Sequence, residues 1–577
     1  MATPSPLGTA GAGVIASIDD GARLHVLGHP WTVEWWVGAE DRWHRPSQSA
    51  SLRQSLVEAS PIVESRVRVP GGDIIHRAFA FQGGDRPLVA TEIENDSAVP
   101  VVLAIVVTGA AEVHVDGAVV AIDGRPALAF PAPPSQAAAD VDVLTAITDG
   151  RATNVDGAVL VPNPDRDRQV ALLFPLTHTA VHGMVAVDGG DLPASVPTAA
   201  VVGTGWTVQT DRGMRVATPD EAWGQGFEAC RRRLLLGLDA GDLLAGASPG
   251  SVVDETPGDG PAVDGTARAR LIGALGLAGM PGEARELLLA ALADHDQRTG
   301  ALVVPPSDAR GGTAGGDTAA LAWALAQHLE LAPDAEFRDA VLPILAGALQ
   351  YAADRRRGGL RSSAGERGLV DGDLVSSVWA LAAFRDAARV LEAAGETTAA
   401  ATARRFLDQL GDRVKDRLAG DEAARMLATD VLDLIPDSPS SPTSVERVAG
   451  RIAAAGPLWT WDGMPPTSSA ADLVVAVRRV LVGEHRHGID LVPGFPETWL
   501  GQAVEVHDAP TRLGTVSFAL RWHGTRPALL WECEPHEAGV AIELRAPSLD
   551  PAWSSTETVG EALLADRPGP APGDSFS

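Results

Sequence analysis

The chain has 577 residues, of which 45% are hydrophobic and 21% are charged, and this length predicts two to four domains. It contains 75 acidic residues against 46 Lys and Arg, so its net charge is −29. Nucleic acid and anionic membrane surfaces are therefore not expected as partners, because both recruit clustered basic residues.

The two cysteines, Cys230 and Cys533, lie far apart without metal-ligand spacing. They predict no disulfide framework, and neither a metal nor another cofactor is expected. Neither a signal peptide nor an apolar run long enough to cross a membrane is recognisable, which favours a cytoplasmic protein. The oligomeric state stays open.

Residues 1–215 are predicted to form an antiparallel β-sandwich. Short segments rich in β-branched and aromatic residues follow one another, among them Trp31–Val37, Ile74–Phe81 and Val99–Val107. Turn-forming clusters such as Pro70–Asp73 separate these segments, and helical periodicity is absent. Closely spaced strands over about two hundred residues are typical of a large sandwich.

Residues 216–488 are predicted to be helical. At Thr218–Glu221 a capping threonine, a proline and two acids mark a helix start. Helical segments are predicted at 220–238, 264–278, 282–295, 317–331, 335–354, 373–394, 397–418, 421–433, 443–455 and 468–482. Short joints alternate with longer loops rich in Gly and Pro, which predicts helices paired as hairpins and packed on other helices.

The apolar pattern divides these helices into two kinds. Ala319–Leu331, Leu374–Phe384 and Leu473–Val482 are apolar on nearly all sides, whereas Arg285–Asp294 and Phe337–Arg355 are one-sided. A helix that is apolar all round is buried on all sides, and an amphipathic helix lies outside. We therefore expect a helical toroid, an (α/α)6 barrel. A stacked solenoid is the alternative, although no repeat of about 34 or 40 residues is visible.

Residues 489–577 are predicted to form a small C-terminal β-sheet domain. Strand patterns return at Ala503–His507, Val516–Trp522, Ala528–Glu532 and Val540–Arg545. The last residues, Asp566–Ser577, are rich in Pro, Gly and Ser and are expected to fray. The whole chain is thus predicted to be a multidomain protein of α and β structure.

Three segments carry a resemblance to a known group of proteins. They are WTVEWWVGAEDRWHRP at Trp31–Pro46, the stretch Leu491–Glu532, and APSLDPAW at Ala546–Trp553. Together with the order of sandwich, paired helices and small sheet, they resemble actinobacterial members of the six-hairpin glycosidase superfamily, which includes glucoamylase-like hydrolases and disaccharide phosphorylases. The resemblance covers almost the whole chain and implies a carbohydrate substrate or ligand, without naming the sugar.

In a barrel of helical hairpins the inner helices run in the same direction, so the loops before them meet at one end. Acids and tryptophans occupy those loops: Asp254, Glu255 and Asp264 before the 264 helix, Glu366, Asp371 and Asp373 before the 373 helix, and Trp459, Trp461 and Asp462 before the 468 helix. Glycoside cleavage needs one protonated carboxyl group and one carboxylate, about 6.5–9.5 Å apart in inverting enzymes. Tryptophan offers a sugar a flat apolar face.

These residues predict a glycoside hydrolase, for which inversion is favoured over retention, the outcome in enzymes whose two carboxyl groups lie only about 5–5.5 Å apart; the sequence leaves the anomeric outcome open. Glu366 lies in mid-loop, away from a capping position, and is predicted to be the general acid, with Glu255 as the partner carboxylate. Substrate binding is predicted for Asp371, Asp373, Trp459, Trp461 and Asp462. Each acid has an alternative role as a helix cap, and this role is favoured for Asp264 and Asp317. Each tryptophan has an alternative role in core or rim packing.

Two other functions stay open. In the proteins that this chain resembles, acids or aromatic residues precede the W-x-L turn, whereas here Ser376, Ser377 and Val378 precede Trp379. This departure favours a non-catalytic carbohydrate-binding protein. The glycine-rich run Gly311–Gly316 beside Arg310 is the one candidate for holding phosphate, and hence for a disaccharide phosphorylase.

Overall fold

The structure is a computed structural model that describes residues 3–155, 159–163, 165–187, 189, 193, 195–236, 265–293, 295–303, 314–356, 368–434, 442–462, 466–485 and 487–567. The described residues lie in two compact units. The first lies within Met1–Thr210, Leu235–Asp259 and Ala455–Pro466, and the second within Asp211–Leu234, Gly260–Ala454 and Thr467–Ser577. The division into three domains at residues 215 and 488 stays a prediction.

The first unit is built mainly of antiparallel strands. Its elements are β1 (Ser5–Thr9), β2 (Gly13–Ile18), β3 (Leu24–Val26), β4 (Thr32–Gly38), β5 (Trp43–His44), β6 (Arg53–Leu56), β7 (Val63–Val69), β8 (Gly72–Gly83), β9 (Arg86–Ser97), β10 (Val101–Thr108), β11 (Glu112–Asp116), β12 (Val119–Ile122), β13 (Arg125–Ala129), β14 (Gln136–Asp140), α1 (Val143–Thr148), β15 (Thr153–Asn154), β16 (Val159–Pro162), β17 (Gln169–Leu176), β18 (Val181–Ala186) and α2 (Ala199–Thr210). One sheet has the order β1-β2-β3-β4-β10-β17-β14-β15, with β5 beside β4, and the other β16-β11-β12-β13-β18-β9-β8-β7-β6. The N-terminal antiparallel sheet region is thus confirmed.

The core of this unit lies between its two sheets. Val33 and Ile105 of the first sheet and Ile74 and Ile93 of the second belong to one cluster, and each is at most 4% exposed. Successive side chains of a strand point to opposite faces, so each strand contributes alternate residues to this core.

Two helices lie in the region that the sequence predicted to be all strand. Helix α1 packs over Trp36 and Ala104 on the outer face of the first sheet, and α2 packs over Phe79 and Phe81 on the outer face of the second. The central strands are therefore buried on both faces, which explains their nearly continuous apolar runs. Helix α1 has only six residues and α2 has no charged residue, so neither shows an amphipathic period.

The middle of the chain is helical. Its helices are α3 (Glu221–Leu236), α4 (Gly265–Leu277), α5 (Pro281–Ala293), α6 (Ala314–Leu331), α7 (Ala335–Arg355), α8 (Leu374–Ala393), α9 (Thr397–Leu418), α10 (Glu422–Met426), α11 (Pro442–Ala454) and α12 (Pro466–Leu481). The segment predicted as one helix at 421–433 is instead the short α10 followed by a π-helical turn, Leu427–Val431. None of the described helices is both long and apolar enough to cross a membrane.

Burial separates these helices as the apolar pattern predicted. Helices α6 and α8 are buried along almost their whole length, whereas α7 and α9 each bury one stripe. Helix α6 packs against both α4 and α8, α7 packs on α6 and α8, and α9 packs on α8. Trp323 of α6 and Trp379 of α8 are in contact, with ring centroids 5.3 Å apart. Helix hairpins packed on one another therefore form this part of the second unit.

The remaining strands form two small sheets in the second unit. Their bounds are β19 (Arg215–Ala217), β20 (Val482–His485), β21 (Gly488–Leu491), β22 (Val504–Thr511), β23 (Gly514–His523), β24 (Arg526–Pro535), β25 (Glu543–Ala546), β26 (Asp550–Ser555) and β27 (Val559–Leu563). The orders are β19-β22-β23-β24-β27 and β20-β21-β25-β26. Strand β19 precedes the helices in the chain but pairs with β22, with Val216 opposite Val506. Of the tail that was expected to fray, residues 568–577 lie outside the described residues.

Candidate functional site

The N-terminal ends of α4, α6 and α8 lie side by side. A Cβ added to Gly265, the first residue of α4, would lie 2.7 Å from the Cβ of Asp317 in the first turn of α6. A Cβ added to Gly316 of α6 would lie 2.7 Å from the Cβ of Ser376 in the first turn of α8. Three neighbouring buried helices thus begin at the same end, as expected from the hairpin argument, and their positive dipole ends are brought together.

Asp371 links the starts of α6 and α8. It lies in a tight turn before α8, with a φ of +52°, and its side chain is 8% exposed. Its Oδ2 accepts hydrogen bonds from the amides of Gly315 at 2.8 Å and Gly316 at 3.1 Å, and its Oδ1 accepts one from Nε of Arg355 at 2.8 Å. The first amides of a helix have no partner within the helix, so Asp371 caps α6 from outside it.

Asp317 does not have the capping position that was predicted for it. Helix α6 begins at Ala314 rather than at residue 317, so Asp317 lies inside the first turn. The reason is that the glycines before it continue the helix, and the carboxylate that accepts their amide hydrogens belongs to Asp371. Asp264, the other predicted cap, lies outside the described residues.

Asp373 and the two serines after it hold the start of α8. The Oδ2 of Asp373 accepts a hydrogen bond from the Ser376 amide at 2.7 Å. The Ser377 hydroxyl donates to the Asp373 carbonyl at 2.8 Å and accepts from the Val370 amide at 2.9 Å. Ser376 is 3% exposed and Ser377 is fully buried. These polar side chains therefore stabilise the turn and helix start.

The predicted residues before α12 belong to the first unit. Trp461 is 6% exposed, and its carbonyl accepts a hydrogen bond from the Thr3 hydroxyl at 2.9 Å. Trp459 is half-buried with a φ of +53°, and Asp462 is exposed. The binding role of these three residues stays a prediction. Glu255 and Glu366, the predicted acid/base pair, lie outside the described residues, so their roles also stay predictions.

A polar group that the sequence did not point out lies on three of the helices in the second unit. Arg270 of α4, Trp379 of α8 and Asp472 of α12 each come five or six residues after the helix start, about 8 Å along the axis. Arg270 Nη1 lies 3.4 Å from Asp472 Oδ2, and the Arg270 guanidinium carbon lies 6.0 Å from the centre of the Trp379 ring. Arg451 of α11 also contacts Asp472, at 3.3 Å.

This group keeps unused hydrogen-bonding capacity. The Arg270 side chain is 27% exposed and that of Asp472 is 15% exposed. Among the described residues Arg270 donates only to Asp472, at 3.4 and 3.5 Å. The indole Nε1 of Trp379 is buried without a hydrogen-bond partner. Both helices are largely apolar but carry further arginines, Arg268 on α4 and Arg478 and Arg479 on α12, so no sequence signal singles out Arg270 and Asp472.

Two surface cavities lie elsewhere on the described residues. One of about 510 Å³ runs along α9, beside Arg404 and Asp408. The other, of about 280 Å³, is in the first unit beside His29 and Trp31. Neither is lined by the starts of α4, α6 or α8. Within the described parts of the chain, no group of three or more His, Cys, Asp or Glu side chains is arranged to hold a metal ion.

No known family model matches this sequence, and no curated protein matches it. Solved structures with a similar chain trace include a bacterial glucoamylase complexed with acarbose, with 10% identity, a TM-score of 0.43 and coverage of 71% of this chain and 69% of that chain. An α-L-rhamnosidase from Dictyoglumus thermophilum has 11% identity and a TM-score of 0.37, and the match covers 87% of this chain and 60% of that chain. A family GH92 α-mannosidase from Bacteroides thetaiotaomicron has 9% identity and a TM-score of 0.36, and the match covers 89% of this chain and 84% of that chain. Similarity at this level assigns no activity to the chain.

Proposed function

We propose that this protein is a glycoside hydrolase that acts on an oligosaccharide or glycoside by carboxylate general acid/base catalysis with inversion. The observation that supports the proposal is the meeting of the N-terminal ends of α4, α6 and α8. In this proposal the helix hairpins close into an (α/α)6 toroid, and the substrate binds where the inner helices begin. The segments that lead into α4 and α8, residues 237–264 and 357–367, carry Glu255 and Glu366.

The two carboxyl groups have complementary roles in this mechanism. Glu366 is protonated and transfers its proton to the leaving oxygen as the glycosidic bond breaks. Glu255 is ionised and removes a proton from a water molecule that attacks the anomeric carbon from the opposite face. After the reaction Glu255 releases its proton to solvent and Glu366 takes one up, which restores the starting protonation states. Attack from the opposite face inverts the anomeric centre.

The test begins with a screen of oligosaccharides and aryl glycosides for released sugar. On a substrate that is cleaved, we expect Glu366→Gln and Glu255→Gln each to lower the rate at least about a hundredfold. Glu366→Gln is expected to lose less activity on an aryl glycoside with an acidic leaving group, which needs little protonation, whereas Glu255→Gln loses activity on both kinds of substrate. Glu561→Gln on the exposed face of β27 is the matched control. Activity of Glu366→Gln within a few-fold of the natural protein would refute its role.

A non-catalytic carbohydrate-binding protein is the second candidate. The carboxylates of Asp371 and Asp373 are engaged with helix amides, and Ser376 and Ser377 are buried in packing. These contacts favour a structural use of the start of α8. A sugar that binds such a protein would raise its melting temperature, but the protein would release no product from that sugar.

The phosphorylase alternative has less support. Arg310 and Gly311–Thr313 lie outside the described residues, and the amides of Gly315 and Gly316 donate to Asp371 rather than to a bound anion. Cleavage that requires inorganic phosphate and yields a sugar phosphate would favour it over hydrolysis.

A further inference from the structure

We infer that Arg270 binds the carboxylate of an acidic sugar, so that the substrate or ligand is a glycoside that contains a uronic acid. This inference rests on the proposed carbohydrate function and narrows it to one class of sugar. It is carried by the group formed by Arg270, Trp379 and Asp472 on three helices of the second unit.

The first argument concerns hydrogen-bond donors. A guanidinium has five N–H donors in a planar fork. Among the described residues Arg270 uses only Nη1, in long contacts of 3.4 and 3.5 Å to an Asp472 carboxylate that Arg451 also contacts. The Arg270 side chain is 27% exposed, so its remaining donors can be reached by a ligand. Donors in excess of acceptors favour a ligand that brings acceptor oxygens.

The second argument concerns rigidity. The Arg270 guanidinium lies over the face of the fully buried Trp379, a contact that fixes the cation by its attraction to the ring. Trp379 in turn packs on Trp323. Gly273 lets Trp323 lie against α4, because a Cβ at that position would collide with the indole ring. An arginine held in this way loses little conformational entropy when it binds a ligand.

The third argument concerns the charge of the ligand. Asp472 lies 3.4 Å from Arg270 and would repel a dianion such as phosphate. A sugar carboxylate carries a single charge, is planar and matches the guanidinium fork. The hydroxyl groups of the same sugar ring can donate to Asp472. One arginine beside one carboxylate therefore fits a uronic acid better than it fits phosphate.

The experiment compares matched ligands that differ only in this carboxylate. Binding of methyl glucuronide and methyl glucoside, as both anomers, is measured by calorimetry and by melting temperature on the full chain. We expect the glucuronide to bind at least about tenfold more tightly. Arg270→Met keeps the apolar stem and leaves Asp472 paired with Arg451, and it is expected to abolish this preference. Arg270→Lys keeps the charge and is expected to retain part of it. Arg338→Met, at a half-buried position of α7, is the matched control.

The outcomes separate this inference from the proposed function. Three results would overturn the carboxylate assignment alone. The two glycosides could bind equally, or the preference could persist in Arg270→Met. Inorganic phosphate bound at Arg270 could also displace the glucuronide. Binding of glucoside without glucuronide would also overturn it while leaving the carbohydrate function in place. If no sugar of the screen binds, both proposals fail. Because the first comparison of the two ligands is made on the natural protein, the inference can be refuted even where a variant does not fold.

Discussion

Asparagine in place of Asp371 would test whether one side chain holds the starts of two helices together. The backbone at this position has a φ of +52°, which asparagine tolerates well, so Asp371→Asn removes the charge with little backbone strain. The carboxylate now accepts two amide hydrogens of α6 and one hydrogen from Arg355. We expect this substitution to lower the free energy of unfolding by about 2 kcal/mol, because hydrogen bonds to a charged acceptor and the attraction to the helix dipole are both weakened.

The alanine variant supplies the larger perturbation. Asp371→Ala removes the acceptor entirely and leaves the amides of Gly315 and Gly316 without a partner, at about 1–3 kcal/mol each. It also puts a less suitable residue at positive φ, which costs about a further 1 kcal/mol. We therefore expect a total loss of about 4 kcal/mol.

Two measurements check this prediction. Urea unfolding followed by circular dichroism gives the change in stability, and hydrogen exchange of a peptide that covers the start of α6 gives the local effect. Asp339→Asn, at an exposed position of α7, is the control and is expected to change stability by less than about 0.5 kcal/mol. If both Asp371 variants unfold like the control and exchange at the start of α6 does not quicken, Asp371 does not cap this helix.

Two further substitutions test the core and the helix packing. His76 is buried and stacks on Trp35, and burial lowers its pKa to about 3. The unfolded chain, with a histidine pKa of about 6.5, takes up this proton first as the pH falls, so stability is lost from about pH 6.5 downward at about 1.4 kcal/mol per pH unit. His76→Phe keeps the stacked ring, and its stability relative to the natural protein is expected to rise by about 2 kcal/mol between pH 8 and pH 5 in urea titrations; a difference that is the same at both pH values would contradict this. Gly316→Ala is expected to cost about 1–3 kcal/mol by overpacking against Ser376, and adding Ser376→Gly should recover much of that loss in the same titrations. No recovery would mean that α6 and α8 do not meet at these residues.

Local patterns were sufficient to predict most of the helices and strands. The segment now seen as α6 is apolar on all sides, and the one seen as α7 is one-sided, so their burial could be inferred before any contact was known. The reason is that side-chain direction repeats within one or two turns of helix, so the pattern is contained in a short window of sequence. The meeting of helix N-terminal ends followed from the hairpin order alone.

Contacts between distant residues were decided by the tertiary structure. Asp317 precedes an apolar run and resembles a cap, but the cap of α6 is Asp371, 55 residues from Gly316. Strand β19 joins a sheet whose other strands lie almost 300 residues later in the chain. Arg270, Trp379 and Asp472 come from three separate helices, and nothing local relates them to one another. Such pairs depend on which surfaces pack together, and a single sequence carries no periodic signal for that choice. Sequence therefore determined the kinds of element in this protein, and packing determined which of its polar side chains share a site.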